Sequence, residues 1–180
     1  MSYEIIIAGF GGQGVLSMGK LLAYAGLIEG MEVSWMPSYG PEQRGGTANV
    51  TVILSDERIS SPVLNEYDIA IILNQPSLDK FESKVKKGGI LIYDNYGIHK
   101  PVNRDDIEVY CISAMDMAAE LNMLKTFNMI VIGGLLKITN LVSLESVMDG
   151  LKKTLPERHY KLLPINEEAI NKGMEIIQKL

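Results

Sequence analysis

Six residues constrain this chain more than any others. The β-branched run Ile5-Ile6-Ile7 is stopped by Gly9-Phe10-Gly11-Gly12-Gln13-Gly14, and an apolar pattern at helical spacing (Val15, Leu16, Met18, Leu22, Ala23) follows at once. A buried strand that passes through a glycine turn straight into a helix is the opening of a βαβ unit. Glycines at the first, third and sixth places allow the tight reversal and let a ligand or a neighbouring backbone come close. The N–H groups that begin the helix then point outward, towards phosphate or carboxylate. The spacing also matches a dinucleotide fingerprint, but the companion acid is missing. About 20 residues on, where an Asp or Glu would hold a ribose, stand Ser34, Trp35 and Met36, and Glu32 falls inside the expected strand. Three readings stay open for the turn: a structural reversal, a site for an anion other than NAD, and an NAD site.

Strand and helix patterns keep alternating down the chain. Further strands are expected at 32–36, 47–54, 67–73, 90–93 and 108–112, and helices at 15–30, 77–85, 115–122, 128–139, 143–154 and 166–179. Pro76 opens the second helix, Lys86 and Lys87 face its C-terminal dipole, and Gly88-Gly89 ends it. Asn166 is the expected N-cap of the last helix, with Glu167 and Glu168 complementing its dipole. Gly133-Gly134 permits close packing of the helix that contains it. The rhythm breaks at 37–62, where a loop and an antiparallel strand come in and 59–62 returns as a short extended piece. The fold class expected is α/β: one Rossmann-like, doubly wound, mostly parallel sheet with an inserted loop and antiparallel strand, forming a single domain over 1–180.

The inserted loop is the second unusual feature. Pro37-Ser38-Tyr39-Gly40-Pro41-Glu42-Gln43-Arg44-Gly45-Gly46 fixes one part of its backbone with prolines and frees another with glycines. Arg44 beside Gly45 and Gly46 offers a planar fork to a carboxylate or phosphate while the backbone approaches closely. The plain alternative is an ordered loop in which Arg44 pairs with Glu42 or caps a helix. Elsewhere the chemistry is sparse. His99 and His159 are far apart with no companions at metal-ligand spacing, and the ten methionines read as core or interface filler. Asp94-Asn95 stands at a strand end, where α/β sheets bind ligands, though a pair of turn formers is the favoured reading. A formal charge of −5 gives no footprint for nucleic acid. No apolar stretch approaches the roughly 18–20 residues of a membrane helix. The N-terminus does not read as a signal peptide, and one cysteine, Cys111, forms no internal disulfide, so a reducing cytoplasm is expected.

Taken together, Gly11-Gly12-Gln13-Gly14-Val15 and the stretch from Pro37 to Gly46, continued by Thr47-Ala48, resemble the gamma subunit of 2-oxoacid:ferredoxin oxidoreductases. The resemblance runs on in order through Ile59-Ser60-Ser61-Pro62, Asp68-Ile69-Ala70 and Gly88-Gly89-Ile90-Leu91-Ile92-Tyr93-Asp94, so it covers nearly the whole chain. Its specific part is SYGPE-x-RGG at this distance after GGQGV. The resemblance implies a subunit inactive by itself, in a complex that converts a 2-oxoacid and coenzyme A to acyl-CoA, CO2 and reduced ferredoxin. Thiamine diphosphate with Mg would sit on the alpha and beta subunits, and 4Fe–4S clusters on beta or a ferredoxin-like delta subunit. None of these is expected on this chain alone, whose single thiol falls short of the four or so that a cluster takes. What remains is to pack on alpha, beta and any delta subunit, close the active site and receive coenzyme A, with ferredoxin reached through the complex. Gly11, Gly12, Gln13, Gly14, Tyr39, Glu42, Arg44, Gly45 and Gly46 would then form an anion or coenzyme A site, or a subunit interface; no catalytic or metal residue is implied. The tyrosine in the loop, with Arg-Gly-Gly-Thr-Ala after it, leans to the 2-oxoglutarate or ketoisovalerate type over the pyruvate type. A partner-binding face left open in isolation would favour a homodimer. Two other readings stand beside this one: a free-standing NAD-dependent oxidoreductase, and a purely structural assembly unit.

Overall fold

The computed structural model describes residues 2–39 and 46–180, Tyr39 by its backbone alone. The strand that runs into the glycine turn, β1 (Ser2–Phe10), lies inside a seven-stranded sheet. Ile5, Ile6, Ile7 and Ala8 are fully buried, as a strand covered on both faces requires. On one side β1 pairs antiparallel with β3 (Thr47–Ser55), which pairs antiparallel with the edge strand β2 (Glu32–Tyr39). On the other side it runs parallel to β4 (Tyr67–Ile72), followed by the parallel strands β5 (Val85–Asp94) and β6 (Glu108–Ile112). A two-residue strand, β7 (Gln178–Lys179), closes that flank antiparallel to β6. The order is β2-β3-β1-β4-β5-β6-β7.

Successive residues of β1 face opposite layers, the two-residue period of a strand. Ile5 and Ile7 join Val50, Val52, Ile69 and Ile71 beneath α1 (Val15–Ile28), α3 (Ala114–Glu120), α4 (Phe127–Thr139), α5 (Leu144–Thr154) and α6 (Leu163–Ile176). Ile6 and Ala8 join Ala70, Ile72 and Leu91 beneath α2 (Gln75–Phe81). Helices therefore cover both faces, in the doubly wound arrangement expected. Glycines set the approach of the first layer to the sheet: an added Cβ at Gly19 or Gly26 would sit 2.6 Å from Val50 Cγ1 or Leu54 Cδ2. The α4–α6 crossing is closer still. A Cβ at Gly133 would run into the carbonyl oxygen of Ile170, and one at Gly173 into that of Ile130.

Three expected elements differ. The second helix stops at Phe81, a single 3-10 turn (Glu82–Lys84) follows, and β5 has begun by Val85. Lys86 and Lys87 are thus strand residues, not a helix terminus. Lys86 Nζ lies 2.5 Å from Glu4 Oε2 and 2.8 Å from Asp68 Oδ1, bridging carboxylates on two neighbouring strands. Gly88, with φ 76°, donates its N–H to Asp106 O at 2.8 Å. Residues 59–62 form no strand; the Ser61 hydroxyl accepts from Val63 N at 3.1 Å, a local bond that competes with a ladder. The last helix starts at Leu163 with Pro164 in its first turn, and Asn166 lies inside it, its Nδ2 donating to Leu162 O at 2.7 Å. It ends at Ile176, because Ile177 is extended and leads into β7. Among the described residues, no helix is long and apolar enough to cross a membrane.

Candidate functional site

The glycine turn sits at the carboxyl end of β1 and opens α1. Gly14 is the N-cap residue, left-handed at φ 77° and ψ 18°, and a Cβ there would press on the Asn128 side chain at 2.9–3.1 Å. Gly12 has φ 98°, and no described residue lies within 4 Å of where its Cβ would be. Gly14 is therefore demanded by backbone conformation and by a close contact, Gly12 by backbone conformation alone. Among the described residues no side chain caps α1, and no acid occupies its first turn. The first internal bond of the helix, Met18 N to Gly14 O at 2.9 Å, leaves the preceding N–H groups without helical partners. Their partial positive charge faces a cavity of ≈ 510 Å3 lined by Phe10, Gly11, Gly12, Val15, Ser17 and Ala48, among others.

Gln13 has a different task from the one its place in the motif suggests. Its Oε1 accepts from Phe10 N at 2.6 Å and its Nε2 donates to Leu73 O at 3.3 Å. Both ends of the amide are held by backbone, so the side chain pins the turn to the carboxyl end of β4. Gly9 permits this: a Cβ there would meet Gln13 Oε1 at 2.6 Å.

The second motif reaches the same edge of the sheet. Phe10 lies opposite Thr47 and Tyr39 opposite Ala48 in the strand register, and Gly11 N donates to Gly46 O at 2.9 Å. The β2–β3 hairpin thus delivers both ends of the inserted loop beside the glycine turn. Glu42, Arg44 and Gly45 lie outside the described residues, as does the side chain of Tyr39.

Asp94, read as a turn former, is 1% exposed and caps a helix from the neighbouring strand. Its Oδ1 accepts from Ala114 N at 2.9 Å and Met115 N at 3.3 Å, while Oδ2 has no hydrogen-bond partner among the described residues. Burial pushes its pKa up to about 6, against the lowering effect of the two N–H donors and with help from the charge of Asp116. Asn95 Nδ2 donates to Ser113 Oγ at 3.0 Å. One strand along, Asn74 caps α2 by accepting from Ser77 N at 2.9 Å. Asn74 and Asn128 escape a sequence reading; only the Pro two places after Asn74 hints at its role. His99 is exposed, and His159 Nε2 accepts from Arg158 Nε at 3.2 Å. Among the described residues, no three His, Cys, Asp or Glu side chains come together as a metal site.

Comparison with known proteins agrees with this arrangement. Residues 4–176 match the family described as pyruvate ferredoxin/flavodoxin oxidoreductase. The chain is 39% identical to the ketoisovalerate oxidoreductase subunit VorA of Methanothermobacter marburgensis over 178 residues, which is 98% of this chain but only 37% of that one. It superposes on the gamma subunit of a keto/oxoacid ferredoxin oxidoreductase from Geobacter sulfurreducens with a TM-score of 0.84 and 26% identity, covering 98% of this chain and 96% of that one. A 2-oxoglutarate:ferredoxin oxidoreductase from Magnetococcus marinus, solved with 2-oxoglutarate, coenzyme A and succinyl-CoA bound, gives a TM-score of 0.88 and 26% identity over 97% of this chain and 30% of that one. With a match that runs over residues 4–176 and a fold shared over nearly its whole length, this chain belongs to the pyruvate ferredoxin/flavodoxin oxidoreductase family.

Proposed function

We propose that this chain is the gamma subunit of a cytoplasmic 2-oxoacid:ferredoxin oxidoreductase, acting on 2-oxoglutarate or a branched-chain oxoacid such as ketoisovalerate. The observation that carries this reading is the Gly11 N to Gly46 O hydrogen bond of 2.9 Å, which joins the two segments by which the sequence resembles that subunit. An uncapped helix start beside an arginine-bearing loop suits an anionic group. The group we assign is a phosphate of coenzyme A, presented while the chain packs against the thiamine diphosphate-bearing alpha and beta subunits. Gly11, Gly12 and Gly14 would offer backbone to it, Arg44 a guanidinium fork, and Gly45 and Gly46 room for approach. Gln13 would hold the turn in shape. Tyr39 and Glu42 belong with the loop, at the interface. Thiamine diphosphate, Mg and the iron–sulfur clusters fall to the other subunits, and so does the oxidative chemistry.

Anaerobic purification of the tagged chain from its own cells, with an oxoacid- and coenzyme A-dependent viologen reduction assay, tests the assignment. Co-purification of cluster-containing partners with activity is expected, and the preferred oxoacid is then read directly. A chain that emerges alone and binds NAD would replace this reading with that of a dehydrogenase. Within the reconstituted complex, Arg44→Ala should raise the KM for coenzyme A about tenfold, the worth of a charge-assisted hydrogen bond, or weaken subunit association comparably. Both unchanged would remove Arg44 from the site.

A further inference from the structure

A second cavity, of ≈ 750 Å3, lies on the α1 face, walled by α1, α5, α6 and the segment between α3 and α4. Leu21, Met123, Met129 and Leu151 line it as buried side chains, none more than 7% exposed. Its apolar lining continues to the surface: Leu124, Leu162 and Ile165 also line it, at 60%, 39% and 36% exposure. Large apolar side chains held open around a hollow are unusual on a folded surface and mark a place where something binds.

The polar lining is one-sided. Lys20 and Lys125 both border the cavity, with Asn122, Asn128 and Asn166 as uncharged company, and none of the described residues that line it is acidic. Neither lysine has a carboxylate partner among the described residues. Lys86, Lys152, Lys172 and Lys179 do have such partners; what distinguishes Lys20 and Lys125 is that both stand at one apolar cavity. The nearest thing to a partner for Lys20 is the Tyr24 ring, 5.9 Å from Nζ to the centroid. The volume falls in the range of roughly 300–1,000 Å3 typical of small-molecule pockets. A hollow of this kind, with an enclosed apolar floor, suits a compact ligand better than the broad, flat face of about 800 Å2 that a protein partner covers.

We propose that this cavity binds a small amphiphilic organic anion, its apolar body against Leu21, Met123, Met129 and Leu151 and its acid group between Lys20 and Lys125. This site lies outside the glycine turn and does not depend on the gamma-subunit reading. Octanoate is the probe, and 1-octanol its uncharged counterpart. Titrated into the chain carrying 13C-methyl methionine, octanoate should shift the Met123 and Met129 methyl signals saturably, leaving methionines remote from the cavity in place. Its affinity should exceed that of octanol about tenfold, and a Lys20→Gln, Lys125→Gln double variant should lose that advantage while keeping octanol binding. Because both lysines are exposed, the variant is not expected to disturb folding. Equal binding of octanol and octanoate, or an unchanged affinity in the double variant, overturns the anion site. Absence of saturable shifts overturns the site altogether. So does movement of the same methyls only when the alpha and beta subunits are added, because the hollow would then seat a protein segment.

Discussion

Asp94 carries an acid where water hardly reaches, and two backbone N–H groups of α3 do not offset the burial. Its folded pKa of about 6 lies above the ordinary 3.8, so between those values the folded chain holds a proton that the unfolded chain releases. Stability from this group is therefore greatest below about pH 4 and falls as the pH rises through 6. The shift corresponds to roughly 3 kcal/mol at neutral pH. Asp94→Asn keeps an oxygen for Ala114 and Met115 but has no proton to lose. Urea titrations at pH 5 and pH 8 should show the wild-type chain losing about 1.4 kcal/mol relative to this variant. Gly12 and Gly14 make a second paired comparison. Alanine at Gly12 should cost about 1–2 kcal/mol for its left-handed backbone alone. At Gly14 the Asn128 contact adds a further cost of about 1 kcal/mol or more, and Asn128→Ala should restore only that addition in a double-mutant cycle. At this scale the sequence displayed identity but not environment. Gln13 stood out in the glycine motif, yet nothing marked it as a brace between Phe10 and Leu73. Asp94 looked like an ordinary turn residue because its helix partner is 20 residues away.

Helix α4 was legible as an element, and its Gly133-Gly134 pair already signalled close contact. The partner was not, because Gly173 sits in a segment whose pattern gives no reason to pair it with residue 133. The two backbones meet through their glycines, and each Ile carbonyl occupies the space a side chain would need. Gly173→Ala should therefore lower stability by about 3 kcal/mol, at the upper end for overpacking, with the loss visible as a lowered urea midpoint. Proline, which fixes φ, marks a helix start more surely than a polar residue does. Pro76 lies in the first turn of α2 and Pro164 in that of α6, whereas Asn166, the better cap by residue type, lies inside α6. Lysines before glycines suggested a helix end at 86–89. The pull of Glu4 and Asp68 on Lys86 is a tertiary effect, and no local window contains it.

The alternation of patterns was enough to place the whole molecule among α/β folds with a mostly parallel sheet, and an antiparallel strand was expected from the break at 37–62. The closing strand β7 was not, since two exposed residues carry no periodicity. The two motifs are legible in the sequence; the structure brings their described ends, Gly11 and Gly46, together by a hydrogen bond beside the β1–β3 register. That register also orders events in time. Ile7 lies opposite Val50 on one side and Ile71 on the other, so β1 must wait on both sides for strands that follow it in the chain. Until β4 has been made, one edge of β1 is bare, and the isoleucine run is open to any other extended chain. A free fragment of residues 1–62 should leave residues 2–10 open to pulse proteolysis, with protection gained only in fragments long enough to include β4 and the helices that cover it. Protection already complete in the 1–62 fragment would mean that α1 and the β2–β3 hairpin are enough to shelter β1. On this view the hairpin that carries the loop is also the first strand partner the growing chain can offer the edge of its own centre.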